Sequence, residues 1–137
     1  TLDLIGVSTE QGAAMYESII HGKPVKITEG DTLADSLLGG IGLTNEYTFQ
    51  MVQQYVDHLV LVNEQEIAMG MMHMLGQERM VVEGAAAAGI GSALNRKIPL
   101  GKKVVFVITG SSVDMETMER LIEDQANVQT PTNKWEG

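Results

Sequence analysis

"HLVLVNEQEI", His58 to Ile67, decides the fold class, because it joins a strand to a helix through a single capping residue. The first five residues are an apolar, β-branched run of the length and type that makes a buried strand. Asn63 and Glu66 then stand as N-cap and third-position acid, so a helix opens at once and runs to about Leu75. The same unit stands at the start of the chain. "LDLIGV", Leu2 to Val7, is a short strand, and Glu10 to Ile20 places Ala13, Tyr16, Ile19 and Ile20 on one helical face that Gly22 terminates. A third unit follows late, with a strand over Lys103 to Ile108 and a last helix carried by Met115, Met118 and Leu121. Apolar strands alternating with helices build a parallel sheet covered by helices. The class is therefore α/β, a small open, mostly parallel sheet with helices on both faces.

The connecting segments are less regular. Pro24 to Ile27 is extended and leads into "EGDTLADSLLGGIGL", residues 29–43, a glycine-rich connection with room for one helical turn. Helix resumes near Asn45, with Phe49, Val52 and Val56 spaced by three and four. "EGAAAAGIGSALN", residues 83–95, is a helix almost without bulk, whose Gly89 and Gly91 cost about 1 kcal/mol each relative to alanine, so some other element must approach it closely. Methionines 69, 71, 72 and 74 fill the core from a helix whose inward face is Ile67, Met71 and Met74 or Leu75. Residues 1–125 form a single α/β domain and 126–137, with Pro131, a polar tail.

Composition narrows the function. Eighteen acidic residues against nine basic give a formal charge of −9, which repels phosphate backbones and anionic lipid, so neither nucleic acid nor a membrane surface is an expected partner. Cysteine is absent, which excludes disulfides and thiolate metal clusters and agrees with a reducing cytoplasm. No apolar run reaches membrane-spanning length and no signal-peptide pattern opens the chain, so a soluble, cytoplasmic protein is expected. The chain begins at Thr1 rather than methionine, from which a processed or truncated end is expected.

Chemistry is sought beyond the carboxyl ends of strands, where open α/β sheets hold ligands. "VVFVITGSSVD", Val104 to Asp114, ends a strand at Thr109 to Ser112, a hydroxyl beside a glycine that could meet a ring nitrogen or an anion; spacing alone favours the plainer reading, with Ser112 as the N-cap of the last helix. Glu83, where an apolar "MVV" enters the small-residue helix, is either a partly buried ring-contacting carboxylate or a complement to the helix N-terminus. "LLGGIGL", 37–43, lacks the Lys-Ser/Thr of a phosphate loop and reads as a turn. His21, His58 and His73 stand isolated, without metal-ligand spacing, and the acidic run from Glu116 to Asp124 is a solvated face.

Three stretches, "TLADSLLGGIGL" (32–43), "VVEGAAAAGIGSAL" (81–94) and "VVFVITGSSVD" (104–114), in this order and spacing, resemble the C-terminal half of a fold type II pyridoxal-phosphate-dependent serine/threonine dehydratase. With "EYTF" (46–49) and "VDHLVLVNEQEI" (56–67), the likeness is greatest to the hydroxyectoine-utilisation dehydratases. It implies a partial fold type II domain and a cofactor-binding set of Thr109, Gly110, Glu83, Gly84, Ala34, Asp35 and Ser36. Thr109 takes the place of the hydroxyl that meets the cofactor's pyridine nitrogen, Glu83 that of the "VEGAGA" glutamate, and Ala34 to Ser36 that of the "ADG" segment. The family's "SGGN" is "TGSS" here and its "EGAGA" is "EGAAA". The acidic positions that hold a divalent cation in serine racemases correspond to Ser8, Gly12 and Ala14, so no metal is expected. The family's imine-forming lysine and its phosphate loop lie N-terminal to the matched region, and Lys23, Lys26, Lys97, Lys102, Lys103 and Lys134 stand in neither context. The resemblance therefore implies pyridoxal phosphate in the full-length family, none bound by this chain alone, no catalytic residue, and a truncated, inactive piece. It also implies self-association or a complementary chain over faces that the rest of the family's chain covers; the alternative is a non-catalytic binding or regulatory module.

Overall fold

The computed structural model describes residues 2–129. Strand β1 (Ile5–Thr9) and strand β2 (His58–Val62) pair in parallel, with Ile5 opposite His58 and Thr9 opposite Val62. Between them lie helix α1 (Ala14–His21), one 3-10 turn (Asp35–Leu37) and helix α2 (Tyr47–Tyr55); after β2 come α3 (Glu64–His73), a π-turn (Met74–Glu78), α4 (Gly84–Leu94) and α5 (Met115–Gln129). The fold is α/β with a small open parallel sheet. None of its described helices is long and apolar enough to cross a membrane.

The capping signal at Asn63 is realised on both sides. The Glu66 amide donates to Asn63 Oδ1 at 3.0 Å and the Asn63 amide to Glu66 Oε2 at 2.8 Å. Gly22 closes α1 at φ 69°, a left-handed position that glycine adopts without strain. That helix starts at Ala14, and its inward side is not quite the expected one: Ile20 is exposed, while Ser18 is fully buried and accepts the Val25 amide at 3.1 Å. A local polar partner thus outweighs the apolar count of the face.

The core lies between α3 and α4 and extends over the sheet through Val7 and Val62, with Ile67, Met71, Met72 and Met74 as its bulk. Small residues let the two helices meet backbone to backbone. A Cβ on Gly70 would stand 2.5 Å from the Ala87 carbonyl oxygen, and one on Gly91 would stand 2.2 Å from that of Glu66. The close approach expected of α4 is therefore made by α3 at Gly91, whereas Gly89 faces the ring of Phe106 at ordinary contact distance. On the other side of the strands, α1 and α2 enclose an apolar recess of about 270 Å³ lined by Gly6, Tyr16, Val52, Val56 and Leu59.

Two expectations fail in the last third of the chain. Residues 103–108 form no strand: among the described residues, β1 and β2 are the only paired strands and the 104–108 backbone makes no hydrogen bond. Valine and phenylalanine supply strand propensity, but a strand also needs a ladder, and this run lies on α4 instead. The second correction is the cap of α5. Asp114, not Ser112, accepts the Thr117 amide, at 2.7 Å, and the Thr117 hydroxyl, at 2.9 Å. Of the expected inward residues Met118 and Leu121 are buried, but Met115 is exposed. The helix continues to Gln129, so residues 126–129 of the expected tail are helical, and 130–137 lie outside the described residues.

The cap carries a pH signature. The Thr117 amide first, and its hydroxyl second, hold the Asp114 carboxyl below its ordinary value of 3.8. A depressed folded value means that the cap's stabilisation is complete above the ordinary value and is lost as pH falls through the depressed one. We expect α5 helicity, read by circular dichroism, to fall on acidification through that window. Asp114→Asn, which caps nearly as well but does not titrate, should flatten this part of the curve.

Candidate functional site

Three segments far apart in sequence converge at the N-terminus of α4. The first is the turn at residues 32–36. The Thr32 hydroxyl donates to Glu64 Oε1 at 2.5 Å and the Leu33 amide to Glu64 Oε2 at 2.7 Å, so one carboxylate in the first turn of α3 grips the turn. Thr32 Oγ1 also accepts the Ala34 amide at 3.1 Å and lies 3.2 Å from the hydroxyl of buried Thr9 at the end of β1. Ala34 is thereby fully buried, while Asp35 and Ser36 remain exposed.

The second segment is Glu83–Gly84. Gly84 is buried against the turn so closely that a Cβ would stand 2.1 Å from the Leu33 carbonyl oxygen. Glu83 precedes α4 with extended backbone and makes no side-chain cap to it. Its half-buried carboxylate turns instead to the third segment and accepts the Ser112 amide at 3.0 Å, while its own amide donates to the Gly110 carbonyl at 3.2 Å. Gly110 leaves room for this approach: a Cβ there would meet Glu83 Oε2 at 2.4 Å and displace the carboxylate. Thr109, next to it, is exposed.

The structure thus brings Glu83, Gly84, Gly110 and Ala34 together and leaves Thr109, Asp35 and Ser36 on the surface around them. A recess of about 320 Å³ adjoins this junction, lined by Asp31, Thr32, Asp35, Glu64, Gly84, Ser112, Asp114 and Arg120 among others. Thr109, Gly110 and Glu83 do not line it, and among the described residues no lysine does. Lys97 is committed elsewhere, 2.7 Å from the buried Glu66 and donating to the Leu61 carbonyl at 2.9 Å; Lys23, Lys26, Lys102 and Lys103 are exposed, and Lys134 lies outside the described residues. Thr32 and Glu64 are the residues that sequence inspection passed over. An acid at the first position of a helix looks like ordinary complement to its dipole, and no spacing ties it to residue 32.

A family model described as "Pyridoxal-phosphate dependent enzyme" matches residues 1–110. Among curated relatives, a protein of Sinorhizobium fredii carrying a provisional threonine dehydratase name is 48% identical over 82% of this chain and 34% of its own length. An L-threonine ammonia-lyase of Thermotoga maritima is 38% identical over 87% of this chain and 29% of its own. The chain spans about a third of the length of these relatives. Among solved structures, the processed form of threonine deaminase isoform 2 from Solanum lycopersicum superposes with a TM-score of 0.76 at 28% identity, over 88% of this chain and 36% of that one. A fungal L-serine ammonia-lyase from Rhizomucor miehei gives 0.77 at 18% identity, over 89% and 41%, and so shares the fold.

Proposed function

The chain belongs to the pyridoxal-phosphate dependent enzyme family, and on that premise we propose that it is the C-terminal part of a serine/threonine dehydratase-like protein, of the hydroxyectoine-utilisation type, which is inactive by itself. The observation that carries this reading is the junction of Glu83, Gly84 and Gly110 beside an exposed hydroxyl at Thr109. The residues fit one edge of the cofactor. Gly110 lets the Glu83 carboxylate close onto the turn that carries Thr109, whose exposed side chain is open to a ring nitrogen. Among the described residues, no amine that could anchor the cofactor lines the adjoining recess.

When bound, pyridoxal phosphate supplies an electron sink for bond breaking at the α-carbon of an amino acid. Thr109 would hold the ring nitrogen through a hydroxyl, which, unlike a carboxylate, does not keep that nitrogen protonated. Glu83, fixed to the Ser112 amide, would hold the glycine turn against α4. Gly84 and Ala34 would form the packed floor that keeps the turn at 32–36 in place. The complete protein would convert a β-hydroxy amino acid to a keto acid and ammonia in the cytoplasm. The piece would supply no base for the α-proton.

The test is direct. Purified chain with added pyridoxal phosphate is expected to release no ammonia from L-threonine or L-serine above the free cofactor, and to keep no visible absorption band after dialysis. A retained band, with a lysine modified after borohydride reduction, would overturn the claim of inactivity. We also propose that the chain associates with itself or with a complementary chain, since Leu2, Val105 and Val107 expose 85%, 87% and 77% of their surface.

A further inference from the structure

The unpaired run at residues 104–108 has the burial rhythm of a strand: Val105 exposed, Phe106 half-buried, Val107 exposed, Ile108 half-buried. Phe106 rests against α4 at Gly89 and Ile108 joins the core, so the segment is seated on one side only. Among the described residues its backbone donors and acceptors find no partner from Val104 to Ile108. Such an edge is a template for another strand.

We propose that its occupant is a second copy of the same segment, paired antiparallel about a two-fold axis through Phe106. The sequence is self-complementary in that register. Val105 falls opposite Val107 of the second copy and Val104 opposite Ile108, so β-branched residues meet across the ladder. Lys103 falls opposite Thr109 and Lys102 opposite Gly110, so like charges do not face one another. A parallel, in-register pairing would set each lysine against itself. The segment 97–113 also contains no acid, which places it apart from the −9 charge that otherwise repels a second copy. The pairing satisfies the amides and carbonyls of the edge that faces the second copy and closes under two-fold symmetry. This deepens the association proposed above and is independent of the cofactor reading, which the ammonia assay tests separately.

Sedimentation equilibrium over a concentration series tests it. The unaltered chain is expected to dimerise reversibly; a monomer throughout overturns the proposal. Val105→Lys with Val107→Lys places lysines opposite each other twice and should weaken dimerisation about tenfold or more. Val105→Lys with Val107→Glu places Lys opposite Glu in the antiparallel register and should keep the dimer. Both positions are exposed, so unchanged circular dichroism is expected of each variant. If the Lys/Glu variant dissociates as readily as the Lys/Lys variant, or if neither weakens the dimer, the proposed register is wrong. Should the Lys/Lys variant fail to fold, the Lys/Glu variant alone still decides, by dimerising or not.

Discussion

Gly91→Val is expected to lower the midpoint of thermal unfolding by about 10 °C or more, through a loss of about 3 kcal/mol or more. The new Cβ would stand 2.2 Å from the carbonyl oxygen of Glu66 and 2.8 Å from its carbon, which are backbone atoms of α3. No rotamer relieves a clash with a main chain, so the helices must separate. Separation uncovers Ile67 and Met71, which the crossing buries. Valine also loses side-chain freedom in a helix, whereas the gain from removing a glycine is at most about 1 kcal/mol. The clash therefore dominates. Gly76→Ala is the control: no atom lies within 4 Å of the Cβ it would add, so the same loss of glycine should be neutral or slightly stabilising. Urea titration of both variants checks the difference. A Gly91→Val chain as stable as the unaltered one would refute the backbone-to-backbone crossing.

Glu64→Ala is expected to cost about 2–4 kcal/mol and to free the turn at residues 32–36. Its two oxygens accept from the Thr32 hydroxyl and the Leu33 amide, and hydrogen bonds to a charged group contribute about 1.5–3 kcal/mol each. Glu64 is half-buried, so water replaces part of what is lost and the total falls below the simple sum of about 3–6 kcal/mol. The consequence is local as well as global. Ala34 is buried through this grip, and Gly84 packs on the Leu33 carbonyl, so release of the turn loosens the floor beneath Glu83 and Gly110. Hydrogen exchange should show faster exchange at the Leu33 and Ala34 amides, with α2 unchanged. Glu64→Gln, which keeps one acceptor oxygen, should recover part of the protection. Equal protection in all three chains would mean that the carboxylate does not position the turn.

Much of the molecule was legible wherever a signal is local. Asn63 and Glu66 announce the start of α3 because both halves of the capping box lie within one turn. The run 58–62 announces β2 because its length and β-branching suit a buried strand, and 83–95 announces a close helix contact because so little side chain is present. The failures share a cause. Residues 103–108 carry the composition of a strand, yet pairing needs a neighbouring edge, and composition does not say whether one is present. Ser112 and Asp114 are both good caps by type, and only the position of the Thr117 amide decides between them.

By itself the sequence determined the α/β class, the main helices and the family resemblance, since periodicity, caps and ordered motifs are written within a few residues. Tertiary structure alone decided that Glu64 holds residues 32 and 33, that Glu83 holds Ser112, and that Gly91 rather than Gly89 meets α3. The carboxylate contacts join groups 29 to 32 positions apart. Hydrogen bonding at that separation has no period along the chain, and a partner is fixed only when the helices have packed and burial forces each polar group to find one.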